Sequence, residues 1–71
     1  MAKVVAAHIT GTVWKIQVRP GDRVEPGTVA VILESMKMEM PVEVEEAGEV
    51  DEILVQEGQA VTEGQPLLRL K

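Results

Sequence analysis

Gly48-Glu49-Val50-Asp51-Glu52-Ile53-Leu54-Val55-Gln56-Glu57-Gly58 repeats the pattern of Gly11-Thr12-Val13-Trp14-Lys15-Ile16-Gln17-Val18-Arg19-Pro20-Gly21, which lies 37 positions earlier in a chain of 71 residues. The overlay runs on without a gap, laying residues 48 to 70 over 11 to 33, and eight of the 23 pairs are identical: Gly11/Gly48, Val13/Val50, Ile16/Ile53, Val18/Val55, Gly21/Gly58, Val24/Val61, Gly27/Gly64 and Leu33/Leu70. The matches are glycines and apolar side chains, so a backbone path and a buried face recur while the polar surface does not. Carried outward, the overlay sets Val5 on Val42, Ala7 on Val44, Lys71 on Glu34 and Met1 on Met38. Residues 35 to 37 have no counterpart, because they fill the gap between the end of the chain and its start. Halves related by a two-fold axis would need a tight hairpin at 35 to 37, with the two termini together at the opposite pole.

Twelve valines, one aromatic residue (Trp14), six glycines and four prolines favour β-structure with many turns, since β-branched side chains suit a pleated, half-buried surface. Period-two alternation bounded by turn residues places strands near 3 to 8, 12 to 18, 23 to 25, 29 to 34, 38 to 44, 49 to 55, 60 to 62 and 66 to 70. No segment carries a helical stripe. The turns Pro20-Gly21-Asp22, Glu25-Pro26-Gly27, Glu57-Gly58-Gln59 and Glu63-Gly64-Gln65 fall at matching places in the two halves. Val13, Ile16 and Val18 break strict alternation in the same way as Val50, Ile53 and Val55, which predicts a shared bulge or bend. Trp14 overlays Asp51 and so belongs on a half-exposed rim, covering the core or touching a partner. Gly11 and Gly48, just ahead of the matched strands, are expected to need positive φ or a close backbone approach, and Gly48→Val is expected to destabilise.

So short a chain supports one domain, residues 1 to 71, and buries only about 60% of its unfolded surface. It has no cysteine, hence no disulfide and no zinc-thiolate site, a pattern that fits a reducing cytoplasm without requiring one. Met1-Ala2-Lys3-Val4-Val5 is too short, and too soon followed by His8 and Thr10, for a signal peptide. No apolar run approaches a membrane span, so a soluble protein is expected. The net charge is −5, with Glu43, Glu45, Glu46, Glu49, Asp51 and Glu52 clustered. Such a face would repel phosphate backbones, so nucleic acid is not an expected partner. It is read as a solvated surface, or as one that orients the domain on basic enzyme surfaces. His8 is read as an exposed strand residue and not a ligand.

The remaining feature is Glu34-Ser35-Met36-Lys37-Met38-Glu39-Met40. Two-residue hairpins favour asparagine or glycine, because both central residues need positive φ, yet here the centre falls on Met36 and Lys37. Either the loop is wider, or the flanking strands impose a conformation that these side chains dislike. The methionines at 36, 38 and 40 would ordinarily be alternating strand residues closing the end of the core. With one histidine, no cysteine and a single serine, no nucleophile-base-oxyanion constellation can be assembled.

Glu34-Ser35-Met36-Lys37-Met38-Glu39 closely resembles the attachment signature of biotin carboxyl carrier domains, in which a lysine between two methionines is biotinylated. The resemblance runs from about Val5 to Leu70 and includes Gly11-Thr12-Val13-Trp14-Lys15-Ile16, Pro20-Gly21-Asp22-Arg23-Val24, Gly48 and Gln56-Glu57-Gly58-Gln59. It implies an all-β flattened barrel-sandwich of two four-stranded antiparallel sheets with quasi-two-fold symmetry, and Lys37 at a hairpin tip bearing covalent biotin. Met36 and Met38 would choose the modifying enzyme, and Glu34, Ser35 and Glu39 would be contacts of a biotin protein ligase. A biotin carboxylase and a carboxyltransferase are the implied partners of a carrier that is not itself an enzyme. Three departures stand out. Ala7-His8-Ile9-Thr10 replaces a Pro-Met-Pro-like stretch, Ser35 replaces the commoner alanine, and Val24 to Val29 leave no room for the protruding thumb of some carriers. The chain is therefore similar to the small free-standing, thumbless type, expected to be monomeric and cytoplasmic. Lipoyl domains, carriers for 2-oxo acid dehydrogenase-type complexes, share the fold but typically flank the lysine with Asp and Ala, so Met36 and Met38 speak against lipoate. An unmodified assembly module is the third reading.

Overall fold

Eight strands form in the order the alternation predicts: β1 (Lys3–Ala6), β2 (Gly11–Ile16), β3 (Arg23–Val24), β4 (Val29–Ser35), β5 (Met38–Glu43), β6 (Gly48–Ile53), β7 (Ala60–Val61) and β8 (Pro66–Leu70). The structure, a computed structural model, describes residues 3 to 71, and the pairing of Met1 with Met38 lies outside them. Two four-stranded sheets result, ordered β1-β8-β6-β3 and β5-β4-β2-β7, with every pairing antiparallel. No helix long and apolar enough to cross a membrane occurs among the described residues.

The internal repeat is a repeat of register. Leu33 stands opposite Met40 in one sheet and Leu70 opposite Lys3 in the other, each partner displaced by the same 37 positions. Gly11 faces Val61 as Gly48 faces Val24. The expected bulge is present in both halves: the β2–β4 ladder slips at Trp14, and the β6–β8 ladder slips at Asp51. Where β3 and β7 begin at the sheet edges the twinning persists, with Val50 N donating to the Asp22 carbonyl and Val13 N to that of Gln59, both at 2.8 Å. These bonds satisfy backbone groups that a bare sandwich edge would leave orphaned.

Four of the identical pairs, Val13/Val50, Val18/Val55, Val24/Val61 and Leu33/Leu70, are buried in both halves, together with Val31, Leu67 and Leu68. Each fully buried Val or Leu side chain is worth roughly 1.5–3 kcal/mol of transfer free energy. No polar or charged residue is buried among the described residues.

Strand bounds differ from expectation for identifiable reasons. β3 and β7 stop at Val24 and Val61 because the next amides leave the ladder: Glu25 N donates to Thr28 Oγ1 and Thr62 N to Gln65 Oε1, both at 3.1 Å. β2 and β6 end at Ile16 and Ile53, each extended by one isolated bond, from Gln17 N to Ala30 O and from Leu54 N to Leu67 O. β1 slips register between Val5 and Ala6 and ends there, so His8 is exposed as expected but sits in a bend, not in a strand.

The two leading glycines are not equivalent. Neither has positive φ, and only Gly11 lies in a close approach, where a Cβ would meet the Glu34 carbonyl oxygen at 2.5 Å. At Gly48 the nearest atoms are side-chain carbons of Leu70 at 3.5 and 3.6 Å, an ordinary contact. The constraint expected at Gly48 therefore exists only at its twin. A closed hairpin presses back on Gly11, whereas the strand pair beside Gly48 opens into the chain ends.

Candidate functional site at the β4–β5 hairpin

The β4–β5 ladder closes with Ser35 opposite Met38, leaving Met36 and Lys37 as a two-residue turn. Both are left-handed, with φ of 52° and 65°, the conformation in which an L side chain crowds its own carbonyl at roughly 1–2 kcal/mol per residue. The narrower of the two expected loops is thus the one that forms, and the flanking ladder imposes it. Replacing Met36 by Gly removes that crowding. The variant should gain about 0.5–1 kcal/mol in stability, measured by denaturant unfolding, and a loss of stability would show that the turn is not strained.

The methionines do not close the core end. Met36 is 92% exposed and Met38 is 61% exposed, while Met40 alone is half-buried. Large apolar side chains held in water on both sides of a lysine are a cost that packing does not offset. Lys37 itself is exposed. The other lysines are all engaged: Lys3 Nζ donates to the Ala47 carbonyl at 2.8 Å, Lys15 Nζ lies 5.7 Å from the Trp14 ring centroid, and Lys71 Nζ is 3.1 Å from Glu49 Oε2. Among the described residues, Lys37 is the one lysine without such a partner.

Directly below the turn, Glu34 stands opposite Glu39, with Thr12 opposite Glu34 on its other side. Like charges directly across a ladder destabilise it, and both carboxylates are exposed. At the twin of the Thr12–Glu34 pair the charge is reversed, since Lys71 stands in place of Glu34 and pairs with Glu49, the counterpart of Thr12. Asp51 and Glu52 are also neutralised, both by Arg69. The Asp51 hydrogen bond first, and the charge of Glu52 second, hold the Arg69 guanidinium above its ordinary pKa. Part of the acidic cluster read from the sequence is therefore closed by ion pairs, while the glutamates flanking Lys37 are left open.

Two shallow grooves of about 300 Å³ and about 330 Å³ run along the β1 and β5 edges, lined in part by Ala6, Glu43 and Glu45, and none of residues 34 to 39 lines either. No cluster of His, Cys, Asp or Glu suited to a metal ion occurs among the described residues. A free amine at the end of a strained, protruding turn, away from both grooves, suits a covalently tethered group and not one enclosed by the fold.

Residues 2 to 70 match the family model described as biotin-requiring enzyme. The chain belongs to the biotin-requiring enzyme family. It is 44% identical over 66 residues to the biotin/lipoyl attachment protein of Bacillus subtilis, spanning 93% of this chain and 90% of that one. It is 38% identical over 74 residues to the biotin carboxyl carrier protein of acetyl-CoA carboxylase from Nostoc, covering 94% of this chain and 41% of the relative. The fold superposes on urea carboxylase of Kluyveromyces lactis with a TM-score of 0.93 and 34% identity, covering all of this chain but 6% of that one. The family resemblance and the all-β sandwich of two four-stranded sheets both hold. Membership brings with it biotin as the cofactor class and a carrier role in biotin-dependent carboxylation.

Proposed function

We propose that Lys37 is the attachment point and that the chain presents biotin, as an amide of Nζ, to a biotin carboxylase and then to a carboxyltransferase such as that of an acyl-CoA carboxylase. The observation that carries this reading is the exposed, unpaired Lys37 on a two-residue turn of positive φ between exposed Met36 and Met38. Biotin bound there supplies a ureido nitrogen able to carry carboxylate. The chain supplies position. Attachment needs the deprotonated Nζ to attack the acyl carbon of an adenylate on a biotin protein ligase, so that the N–C bond forms, the C–O bond to AMP breaks and Nζ loses a proton. The turn holds Nζ clear of the sheets for that approach, and nothing in it competes for the lone pair. Once acylated, the Lys37 stem becomes part of an arm whose tethering makes each later transfer effectively intramolecular.

In this reading Glu34, Ser35 and Glu39 are ligase contacts, and residues 1 to 71 act as one domain that is monomeric when free, cytoplasmic and without catalysis of its own. Intact-mass spectrometry of protein from its native host tests it: a single biotin mass lost on Lys37→Arg supports the assignment, and an unmodified chain overturns it.

The Bacillus subtilis relative is a biotin/lipoyl attachment protein, which makes lipoyl a second acyl group to consider for the same amine. If Met36 and Met38 select the biotin ligase, Met36→Asp with Met38→Ala should lower biotin uptake at limiting ligase by at least tenfold while the fold persists. Lipoylation in place of biotinylation would be the fullest form of that result, and unchanged uptake would show that the methionines set no specificity.

A further inference from the structure

The two-fold scaffold permits a comparison inside one molecule, because each outward position on one sheet has a twin of identical register on the other. In the sheet that lacks the hairpin, the bulge residue Asp51 and its neighbour Glu52 both reach Arg69 across the β6–β8 ladder. Their twins in the hairpin sheet are Trp14, Lys15 and Ile32, with Lys15 facing Ile32 and the bulge again at Trp14. Lys15 Nζ lies over the indole, which places both side chains on the face of Ile32. Pro41 stands opposite Ile32 on the far strand and is exposed. A face that its twin closes with ion pairs thus carries here an apolar row beside one cation, Lys15, with Trp14 41% exposed.

This apolar row lies two residues down β4 from Glu34, about 7 Å at the usual strand rise. Moving back from the turn that carries Lys37, this face shows the unneutralised Glu34 and Glu39, then Trp14, Ile32 and Pro41. An occupant must therefore offer basic groups to Glu34 and Glu39 and, further down, an apolar pocket for the indole with an acceptor for Lys15. Trp is also the side chain that concentrates binding energy when such a pocket excludes water. Whatever acylates Lys37 has to bring its active site onto a short, unextended side chain, and so must cover surface next to the turn, where this face offers the exposed indole. A partner that acts after attachment meets a longer arm and needs no such approach.

We propose that the Trp14–Ile32–Pro41 row, with Glu34 and Glu39 above it, is the docking surface for the biotin protein ligase that modifies Lys37. The inference rests on the carrier reading and adds the surface by which the carrier is recognised. The scaffold itself supplies the test. Trp14→Asp combined with Ile32→Arg installs the residue types that the twin half already holds at these positions, so folding and melting temperature should be preserved. Val4→Asp is the control, since Val4 is the twin of Pro41 and is equally outward, at 55% exposure, on the other sheet.

With a purified biotin protein ligase, biotin and ATP, attachment is followed by intact mass over a range of carrier concentrations. The double variant should raise the carrier KM roughly tenfold or more with kcat at saturation unchanged, and Val4→Asp should match wild type. A KM within twofold of wild type, or an equal rise in Val4→Asp, would overturn the docking surface alone. Normal attachment followed by a defect only in carboxylation of the biotinylated variant would assign the face to a different enzyme and overturn it as well. A wild-type chain that takes up no biotin would overturn the carrier reading and this inference with it.

Discussion

Lys37→Arg should abolish biotin uptake altogether while leaving unfolding free energy within about 0.5 kcal/mol of wild type. Arginine keeps the charge and the polarity of the turn but offers no acylable amine at neutral pH. The structure sharpens the expectation beyond the loss of one nucleophile. Lys3, Lys15 and Lys71 are engaged by the Ala47 carbonyl, the Trp14 ring and Glu49, and none sits in a two-residue hairpin, so none should substitute. Streptavidin blotting and intact mass on the same sample check the result. Persistent streptavidin reactivity would remove Lys37 from the site, and a collapse of stability would mean that the lysine has a structural role the geometry does not show.

Gly11→Val should be the most destabilising single change on the scaffold surface, at about 1–3 kcal/mol. A Cβ there would stand 2.5 Å from the Glu34 carbonyl oxygen, and backbone cannot swing aside as a flexible side chain can. Gly48→Val meets only Leu70 side-chain carbons at contact distance and should cost less than about 1 kcal/mol. For a domain of this size each kcal/mol moves the melting temperature by roughly 4–8 °C, so the pair separates in one thermal scan. Because Gly11 also lies against Ser35 at the base of the turn, its valine variant should lose biotin uptake even where it is still folded. Equal melting temperatures for the two variants would refute the idea that the hairpin presses on β2.

All eight strands were legible in the sequence because alternation and turn glycines are local signals, and the repeat supplied each half with a second reading. Where the strands stop was not legible. The amides of Glu25 and Thr62 are drawn off by Thr28 and Gln65, and a threonine and a glutamine doing the same task do not register as a match in an overlay. The non-equivalence of Gly11 and Gly48 was hidden for a related reason, since it depends on what lies across the sheet. At the proposed site, the signature residues pointed to Lys37, while the conformation of the turn and the engagement of the other lysines needed coordinates. The overlay put Trp14 on a half-exposed rim, as found, but did not show the residues that share its face. Alternation would put Trp14 and Lys15 on opposite faces, and only the bulge brings both to Ile32.

The pairing of Lys3 with Leu70, twin of the pairing of Met40 with Leu33, brings both ends of the described chain together. From there β1 and the bend that follows carry the backbone to Gly11, against the base of the β4–β5 turn, in a molecule 33 Å long and 18 to 19 Å across. A polypeptide grafted onto either end would leave from the pole opposite the lysine, so it could neither shadow the tip nor strain it. The barrel would then behave as a stiff boom pivoting on its graft, sweeping the lysine through an arc set by the long dimension of the domain before any flexibility of the side chain is counted. The same fold can in this way operate as a small freely diffusing unit or as a swivelling segment of a much larger machine, with no change at the end that carries Lys37.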